Sequence, residues 1–266
     1  MLNNMFLKTL RDQKRSLLYW GIGIIALAIV MALFYPTISK MSAFNQYLNQ
    51  LPEGLKQMFG SAIVDYTSPA GYFSTELFSF MVPLLLLVFG IGFGANAIAG
   101  EEEKGTLGFL LANPVPRWRV LVDKFGVLAV SMVLLGLLFW VGLAISVSAM
   151  SIHISLLKLA EATLGAVLLA MVFASLAFFA GSIKGNKNLS LGIASGTGVL
   201  TYILNTLGGM VSWLKNYRFI SPFYHYMQPD TLNNGLSPLH ILVLLALAVI
   251  FFALSIPAFN RRDITV

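Results

Sequence analysis

Six uncharged, apolar runs of about 20 residues or more constrain this chain more than any other feature of its sequence. A helix needs about 20 consecutive apolar residues to cross the hydrocarbon core of a bilayer. Backbone groups inside lipid must bond to one another, so the sequence predicts an all-α membrane protein with six transmembrane helices. The predicted spans are residues 16–35, 77–99, 125–147, 162–183, 189–214 and 239–259.

The composition is that of a protein with most of its surface in lipid. Hydrophobic residues make up 58% of the chain and charged residues 11%, whereas soluble domains carry roughly 25% charged residues. The absence of cysteine excludes disulfides and cysteine-ligated metals. The net charge of +6 is typical of loops at an anionic membrane surface. No nucleic-acid partner is expected, because the chain has no soluble basic domain.

Two of the connecting segments that are predicted on the outer side of the membrane have informative sequences. The first, residues 36–76, carries charges that would each cost about 2.5–3.5 kcal/mol at the centre of a span, so it is not a span. Within it, residues 51–60 have the pattern of a short amphipathic helix at the interface. The second, residues 217–239, is rich in aromatic residues and proline, which fits either a partly re-entrant loop or an ordinary aromatic belt.

The distribution of Lys and Arg predicts the orientation of the chain. With six spans, one side of the membrane receives Lys8, Arg11, Lys14, Arg15, Lys104, Arg117, Arg119, Lys124, Lys184, Lys187, Arg261 and Arg262. The other side receives Lys40, Lys56, Lys158, Lys215 and Arg218. The richer side belongs in the cytoplasm, so both termini are expected there, and the protein is expected in the plasma or inner membrane as a multi-pass protein.

Residues 1–15 are predicted to form an amphipathic interfacial helix. Phe6 and Leu10 lie on its apolar face, and Arg11 and Arg15 lie largely on the opposite face. The alternative is a frayed basic leader. No cleavage site follows, so the first apolar run is expected to remain as a span.

The sequence lacks the patterns of known catalytic and metal sites. Its three histidines show no metal-ligand spacing. Residues 181–187 come nearest to a phosphate-binding loop but lack its Gly-Lys-Ser/Thr ending. No catalytic residue, metal or cofactor is therefore expected in this chain. No ionisable residue lies near the centre of a predicted span, which disfavours an ion-coupled transporter.

The most informative predicted cytoplasmic segment is residues 100–124. Three consecutive glutamates, Glu101, Glu102 and Glu103, close the second span, and Thr106 can cap a short helix. Leu107, Leu110 and Leu111 fall on one apolar face of that helix before Pro114 stops it. Such a helix either needs a protein partner for its apolar face or rests on lipid.

Residues 98–107, with the sequence IAGEEEKGTL, are followed by LLANPV at 110–115 and by Arg117. This string resembles the first cytoplasmic loop of type-2 permease subunits of ATP-binding-cassette (ABC) transporters. The segment LPEGL at 51–55 and the ending FNRRD at 259–263 are similar to other parts of that family. The resemblance extends over essentially the whole chain, residues 1–266, as a single transmembrane permease domain.

The resemblance implies that the chain is the transmembrane subunit of an ATP-driven exporter. A separate ABC ATPase subunit would bind ATP and Mg²⁺ and dock on the amphipathic start and on a coupling helix in the first loop. A second permease protomer would complete the translocation path. By position, the ATPase-coupling residues would be Glu101, Glu102, Glu103, Thr106, Leu107, Leu110 and Leu111. Gly108 departs from the acidic residue expected there, which leaves a specific ion pair to the ATPase at that position in doubt.

The fifth predicted span is the most polar. Ser195, Thr197, Thr201 and Asn205 either line a translocation path or bond to neighbouring helices. The pairs Gly90/Gly94 and Gly192/Gly196 have the spacing of close helix contacts, within one protomer in preference to a dimer seam. The lack of charge within the spans favours an apolar or amphiphilic cargo, although sodium export also occurs in this family. The alternative function is a stand-alone secondary transporter or channel.

Overall fold

The computed structural model describes residues 5–40, 67–111, 116–227 and 230–262, and in these ranges the chain is helical, without strands. A short 3₁₀ helix covers Lys215–Ile220. The α-helices of the described residues are α1 (Met5–Ile38), α2 (Pro69–Glu103), α3 (Thr106–Leu111), α4 (Arg117–Ala149), α5 (Leu156–Lys184), α6 (Lys187–Met210), α7 (Pro222–Met227), α8 (Thr231–Asn234) and α9 (Pro238–Asn260).

Five helices in the described part of the chain are long and apolar enough to cross a membrane: α1, α2, α4, α5 and α9. They contain the first four predicted spans and the sixth. The predicted fifth span corresponds to α6, which has 24 residues but is less apolar. All five extend beyond the predicted bounds. The largest extensions are at the starts of α1, α2, α4 and α5, where residues outside the apolar run, several of them charged, are still helical.

The long helices run alternately between two faces of the bundle. At one face, Glu101 at the end of α2 pairs with Lys124 near the start of α4, and Glu103 accepts a bond from the first residue of α6, Lys187. At the other face, the Tyr35 hydroxyl, near the end of α1, donates to the Thr67 carbonyl just before α2. The start of α1 and the end of α9 therefore both lie at the first face, which we call the hub face.

Helix α5 is at the centre of the bundle and packs against α2, α4, α6 and α9. Gly90 and Gly94 of α2 face Ala174 of α5 so closely that a Cβ atom on Gly94 would overlap the Ala174 carbonyl oxygen. This pair therefore packs helices within one protomer, as the spacing predicts. Gly192 and Gly196 are different, because a Cβ atom on either would meet nothing within 4 Å.

The amphipathic start is part of α1, and the helix has no break between residues 5–15 and the first span. Phe6 and Leu10 are half-buried against the core, and Phe6 lies against Gly126 of α4. Arg11 and Arg15 are exposed. Residues 5–15 of the predicted interfacial helix are thus the first turns of α1. The short amphipathic helix predicted at residues 51–60 lies outside the described residues.

A hydrogen bond between α7 and α2 compensates for an irregular backbone segment. Residues Ser74–Met81 of α2 are π-helical, and the Val82 N–H bonds to the Leu77 carbonyl. The next carbonyl in that pattern, Phe78, would need an N–H from residue 83, which is proline and has none. The buried Tyr226 hydroxyl donates to the Phe78 carbonyl at 2.6 Å instead. Burial also raises the pKa of Tyr226 well above its usual value, so this hydroxyl keeps its proton.

Replacing Tyr226 with phenylalanine should destabilise the protein by about 1–3 kcal/mol, because the Phe78 carbonyl would be buried without a partner. Thermal unfolding in detergent measures this change. Tyr224→Phe is the matched control on the same short helix, since no hydrogen bond of the Tyr224 hydroxyl contributes to this contact. Equal melting temperatures for the two variants would show that the Phe78 carbonyl does not depend on Tyr226.

Candidate functional site

The three consecutive glutamates at the end of α2 form the candidate site, and we call Glu101–Glu103 the glutamate hub. The last turn before it, Asn96–Gly100, is π-helical, and Gly100 leaves the space that the Asn96 side chain occupies. Each glutamate bonds to a different helix or chain segment. The hub therefore connects the end of α2 to three other parts of the bundle.

Glu101 forms an ion pair with Lys124 of α4. Lys124 is 1% exposed and lies on the same face of α4 as fully buried Leu121 and Leu128. Lys8 and Asp12 of α1 are near enough to act on Lys124 electrostatically. A buried ammonium group needs a carboxylate partner, so this pair fixes α2 to α4 beside the start of α1.

Glu102 forms an ion pair with Arg262, which directly follows α9. Both side chains are mostly buried, and Arg117 of α4 donates to the Arg262 carbonyl at 2.8 Å. Gly185, which ends α5 with a φ of +60°, lies against this pair. A Cβ atom on Gly185 would overlap both the Arg262 guanidinium and the Glu102 carboxylate. The pair thus joins α2, α9 and the α5–α6 turn.

Glu103 accepts a hydrogen bond of 2.8 Å from the backbone N–H of Lys187. Lys187 is the first residue of α6, whose N-cap is Asn186. A carboxylate at a helix N-terminus satisfies a free N–H and interacts favourably with the helix dipole. The third glutamate therefore attaches α6 to α2.

Replacing Gly185 with alanine should cost about 1–2 kcal/mol in stability from the left-handed backbone alone, and more from displacement of the Glu102–Arg262 pair. Gly192→Ala is the control, since that glycine is helical with open space around it and should gain up to about 1 kcal/mol. Thermal unfolding of the two variants in detergent shows whether each change lowers or raises the stability. A Gly185→Ala protein as stable as Gly192→Ala would exclude the proposed contact.

The short helix α3 follows the hub directly. The Thr106 hydroxyl donates to the Glu101 carbonyl at 3.0 Å, and Gly105 makes the turn with a φ of +69°. Leu107 is 1% exposed and belongs to the main apolar core. Lys104, Gly105 and Thr106 are exposed.

The structure therefore gives the predicted coupling residues different environments. Glu101 and Glu102 are half-buried in ion pairs with the chain's own helices, and Leu107 is covered by its own core. Glu103 bonds to the start of α6 but is exposed, as is the turn Lys104–Gly105–Thr106 that follows it. The backbones of Leu110 and Leu111 lie in α3, and their side chains are outside the described residues.

A lateral apolar cleft of about 320 Å³ opens between α2 and α6. Its wall contains no charged residue and includes Phe80, Leu84, Val88, Ser195 and Val199. Of the predicted path-lining residues, Ser195 is in this wall and Thr197 is half-exposed.

The other two predicted path-lining residues make internal bonds. Thr201 bonds to the Thr197 carbonyl of its own helix at 2.7 Å. Asn205 is buried and contacts Arg218 and Met227. The sequence left two roles open for the polar residues of α6, lining a path or bonding within the protein. In the structure Ser195 lies in the cleft wall, whereas Thr201 and Asn205 bond within the protein.

His225 and His240 form a polar pair at the face opposite the hub. His225 Nε2 lies 2.9 Å from the Phe219 carbonyl oxygen, and the two Nδ1 atoms of His225 and His240 are 2.9 Å apart. These contacts fasten α7 to both the 3₁₀ helix and the first turn of α9. Within the described residues, no group of three His, Asp or Glu side chains is placed to hold a metal.

The fold and the hub define an all-helical, multi-pass membrane protein whose helices are tied together at one face. A family model described as ABC-2 family transporter protein matches residues 3–264. The chain belongs to this family and is a transmembrane subunit of an ABC transporter. Comparison with curated proteins found no match.

Proposed function

We propose that this chain is the permease subunit of an ATP-driven exporter, coupled to a separate ATPase subunit that binds ATP and Mg²⁺. The observation that carries the proposal is the glutamate hub, which joins the segment leading into α3 to α4, α6 and the end of α9. Such a connection is what a subunit without its own nucleotide site needs in order to receive movement from outside. The chain itself would catalyse no reaction.

The hub face is proposed to be cytoplasmic. It carries the larger of the two sets of Lys and Arg residues, and the positive-inside rule assigns that set to the cytoplasmic side of the plasma or inner membrane. Helix α6 would then be a sixth span, since its 24 residues measure about 36 Å and it starts at the hub face. An even number of spans agrees with the position of both described chain ends at this face.

Coupling would begin at the exposed turn Lys104–Gly105–Thr106 and at α3, which together form the surface on which the ATPase subunit docks. A displacement of this turn pulls on Glu101 through the Thr106 hydroxyl and through the continuous backbone. The ion pairs of Glu101 and Glu102 then pass the displacement to α4 and to the end of α9, and Glu103 passes it to α6. One docking event could thereby move several helices together.

The lateral cleft would form one wall of the translocation path, which a second protomer of the same kind completes as a dimer. Its wall is apolar, with Ser195 among the few polar groups. An apolar cleft of this kind fits an apolar or amphiphilic cargo. The cargo would move outward when the permease chain and the ATPase subunit change conformation together.

Replacing Lys104 with glutamate should reduce co-purification of the ATPase subunit at least about tenfold while leaving the melting temperature unchanged. The change reverses an exposed charge at the docking turn, where rim charges control encounter and orientation. The measurement is affinity purification of the tagged chain from membranes containing both subunits.

Two variants make the result interpretable. Lys184→Glu reverses another exposed charge at the hub face and should leave co-purification unchanged. Leu107→Asp places a charge in the core and should lower the melting temperature as well as the ATPase yield. Full ATPase recovery with Lys104→Glu would mean that this turn is not the docking site.

A further inference from the structure

The start of α1 carries a basic face that continues the helix's lipid-facing side. Leu18, Ile22, Ile29 and Leu33 are 42–61% exposed. With the exposed Ala26 between Ile22 and Ile29, they follow one another at the three- and four-residue spacing of a single helix face. Continuing that spacing toward the start of α1 gives Arg15 and then Arg11, and both are exposed. The apolar and basic side chains therefore point in the same direction.

The length of α1 places these cations at the level of lipid headgroups. Its 34 residues measure about 51 Å, whereas the hydrocarbon core is about 30 Å thick. The uncharged part, residues 16–38, is long enough to fill that core by itself. The turns before residue 16 consequently cross the headgroup layer, and the exposed Lys8 and Lys14 flank Arg11 and Arg15 there.

The opposite side of the same turns is already covered by protein. Met5 is buried, and Phe6 and Leu10 pack against the core next to α4. The basic side is thus held in a fixed direction by the apolar side. Long Lys and Arg side chains can reach along a helix to phosphate groups while their methylenes stay in the apolar layer.

We infer that this basic face, Lys8, Arg11, Lys14 and Arg15, binds the headgroups of anionic phospholipids in the leaflet at the hub face. Charge complementarity selects the lipid class. Four exposed cations and one exposed acid, Asp12, leave these turns with a net positive charge above an apolar, lipid-facing stripe, which matches a phosphate-rich surface with a net negative charge. An ATPase subunit would have to contact the same side chains from within the lipid layer, so it fits this basic face less well than lipid headgroups do. The inference does not depend on the proposed function.

The test uses the full-length purified chain in vesicles of equal parts phosphatidylglycerol and phosphatidylcholine. The protein is extracted with its surrounding lipid shell, and the ratio of the two lipids in that shell is measured. The shell of the unaltered chain should be enriched in phosphatidylglycerol. The triple change Arg11→Gln/Lys14→Gln/Arg15→Gln should reduce the binding preference by about fivefold for each charge removed.

Lys104→Gln/Lys184→Gln/Arg261→Gln is the matched control, because it removes three exposed charges at the hub face away from the α1 stripe. It should retain the enrichment. High salt should also lower the enrichment of the unaltered chain, a readout that needs no variant. An equal loss in both variants, or an unchanged ratio in the α1 variant, would overturn the inference. Loss of ATPase co-purification with an unchanged lipid ratio would instead assign the face to the protein partner.

Discussion

Replacing Lys124 with methionine is expected to destabilise the protein by about 3 kcal/mol or more, because it leaves the Glu101 carboxylate without its partner. Removing one member of a buried ion pair typically costs about 3–5 kcal/mol. The lower end applies here, since Lys124 is fully buried but the Glu101 side chain is 27% exposed. Thermal unfolding in detergent gives the stability, and the ATPase rate of the assembled complex gives the effect on coupling.

The double change Lys124→Met/Glu101→Gln separates a lost ion pair from a lost side chain. If the unpaired charge causes the damage, neutralising Glu101 should recover most of the stability. Lys104→Met is the matched control, because Lys104 is an exposed lysine in the same segment. A Lys124→Met protein as stable as Lys104→Met would refute the role assigned to Glu101.

Replacing Gly94 with valine should disrupt the contact between α2 and α5 and cost about 3 kcal/mol, the upper end of the typical penalty for overpacking. The first side-chain carbon would already overlap the Ala174 carbonyl oxygen, which is a backbone atom of the central helix. A flexible side chain could move aside, but this carbonyl belongs to the hydrogen-bond pattern of α5. We therefore expect the variant to give little folded protein on size-exclusion chromatography in detergent.

Gly92→Val tests whether a larger side chain anywhere on α2 is enough to reduce the yield of folded protein. Gly92 lies on the same helix two residues earlier, and a Cβ atom there would meet nothing within 4 Å. This variant should elute and unfold as the unaltered protein does. Similar losses in the two variants would attribute the effect to added side-chain bulk anywhere on α2 and not to packing against α5.

The long helices could be predicted because lipid leaves the backbone few alternatives and each apolar run is uninterrupted. Their ends were less predictable. Charges exclude a residue from the hydrocarbon core but do not end a helix, so the predicted first helix and first span are parts of one helix, α1, from Met5 to Ile38. The π-helical stretch Ser74–Met81 of α2 could not be predicted either, since the Phe78 carbonyl within it bonds to Tyr226, which is distant in sequence.

The candidate site was found in the sequence, but the direction of its side chains was not. The resemblance assigned the three glutamates to an ATPase contact, whereas the structure turns them toward Lys124, Arg262 and the start of α6. One signal was present. Lys124 interrupts an apolar helix face formed by Val120, Leu121, Val127 and Leu128, which indicates a buried lysine in need of an acidic partner. Choosing that partner requires the three-dimensional arrangement, as the acids lie on another helix.

The central claim, that this chain is the membrane subunit of an ATP-driven exporter, is tested most directly by purifying the tagged chain from its native membrane in mild detergent. Our account predicts that an ATPase subunit co-purifies and that its rate of ATP hydrolysis differs with and without the chain. A chain that purifies folded, with a normal melting temperature but without any nucleotide-hydrolysing partner, would contradict the account.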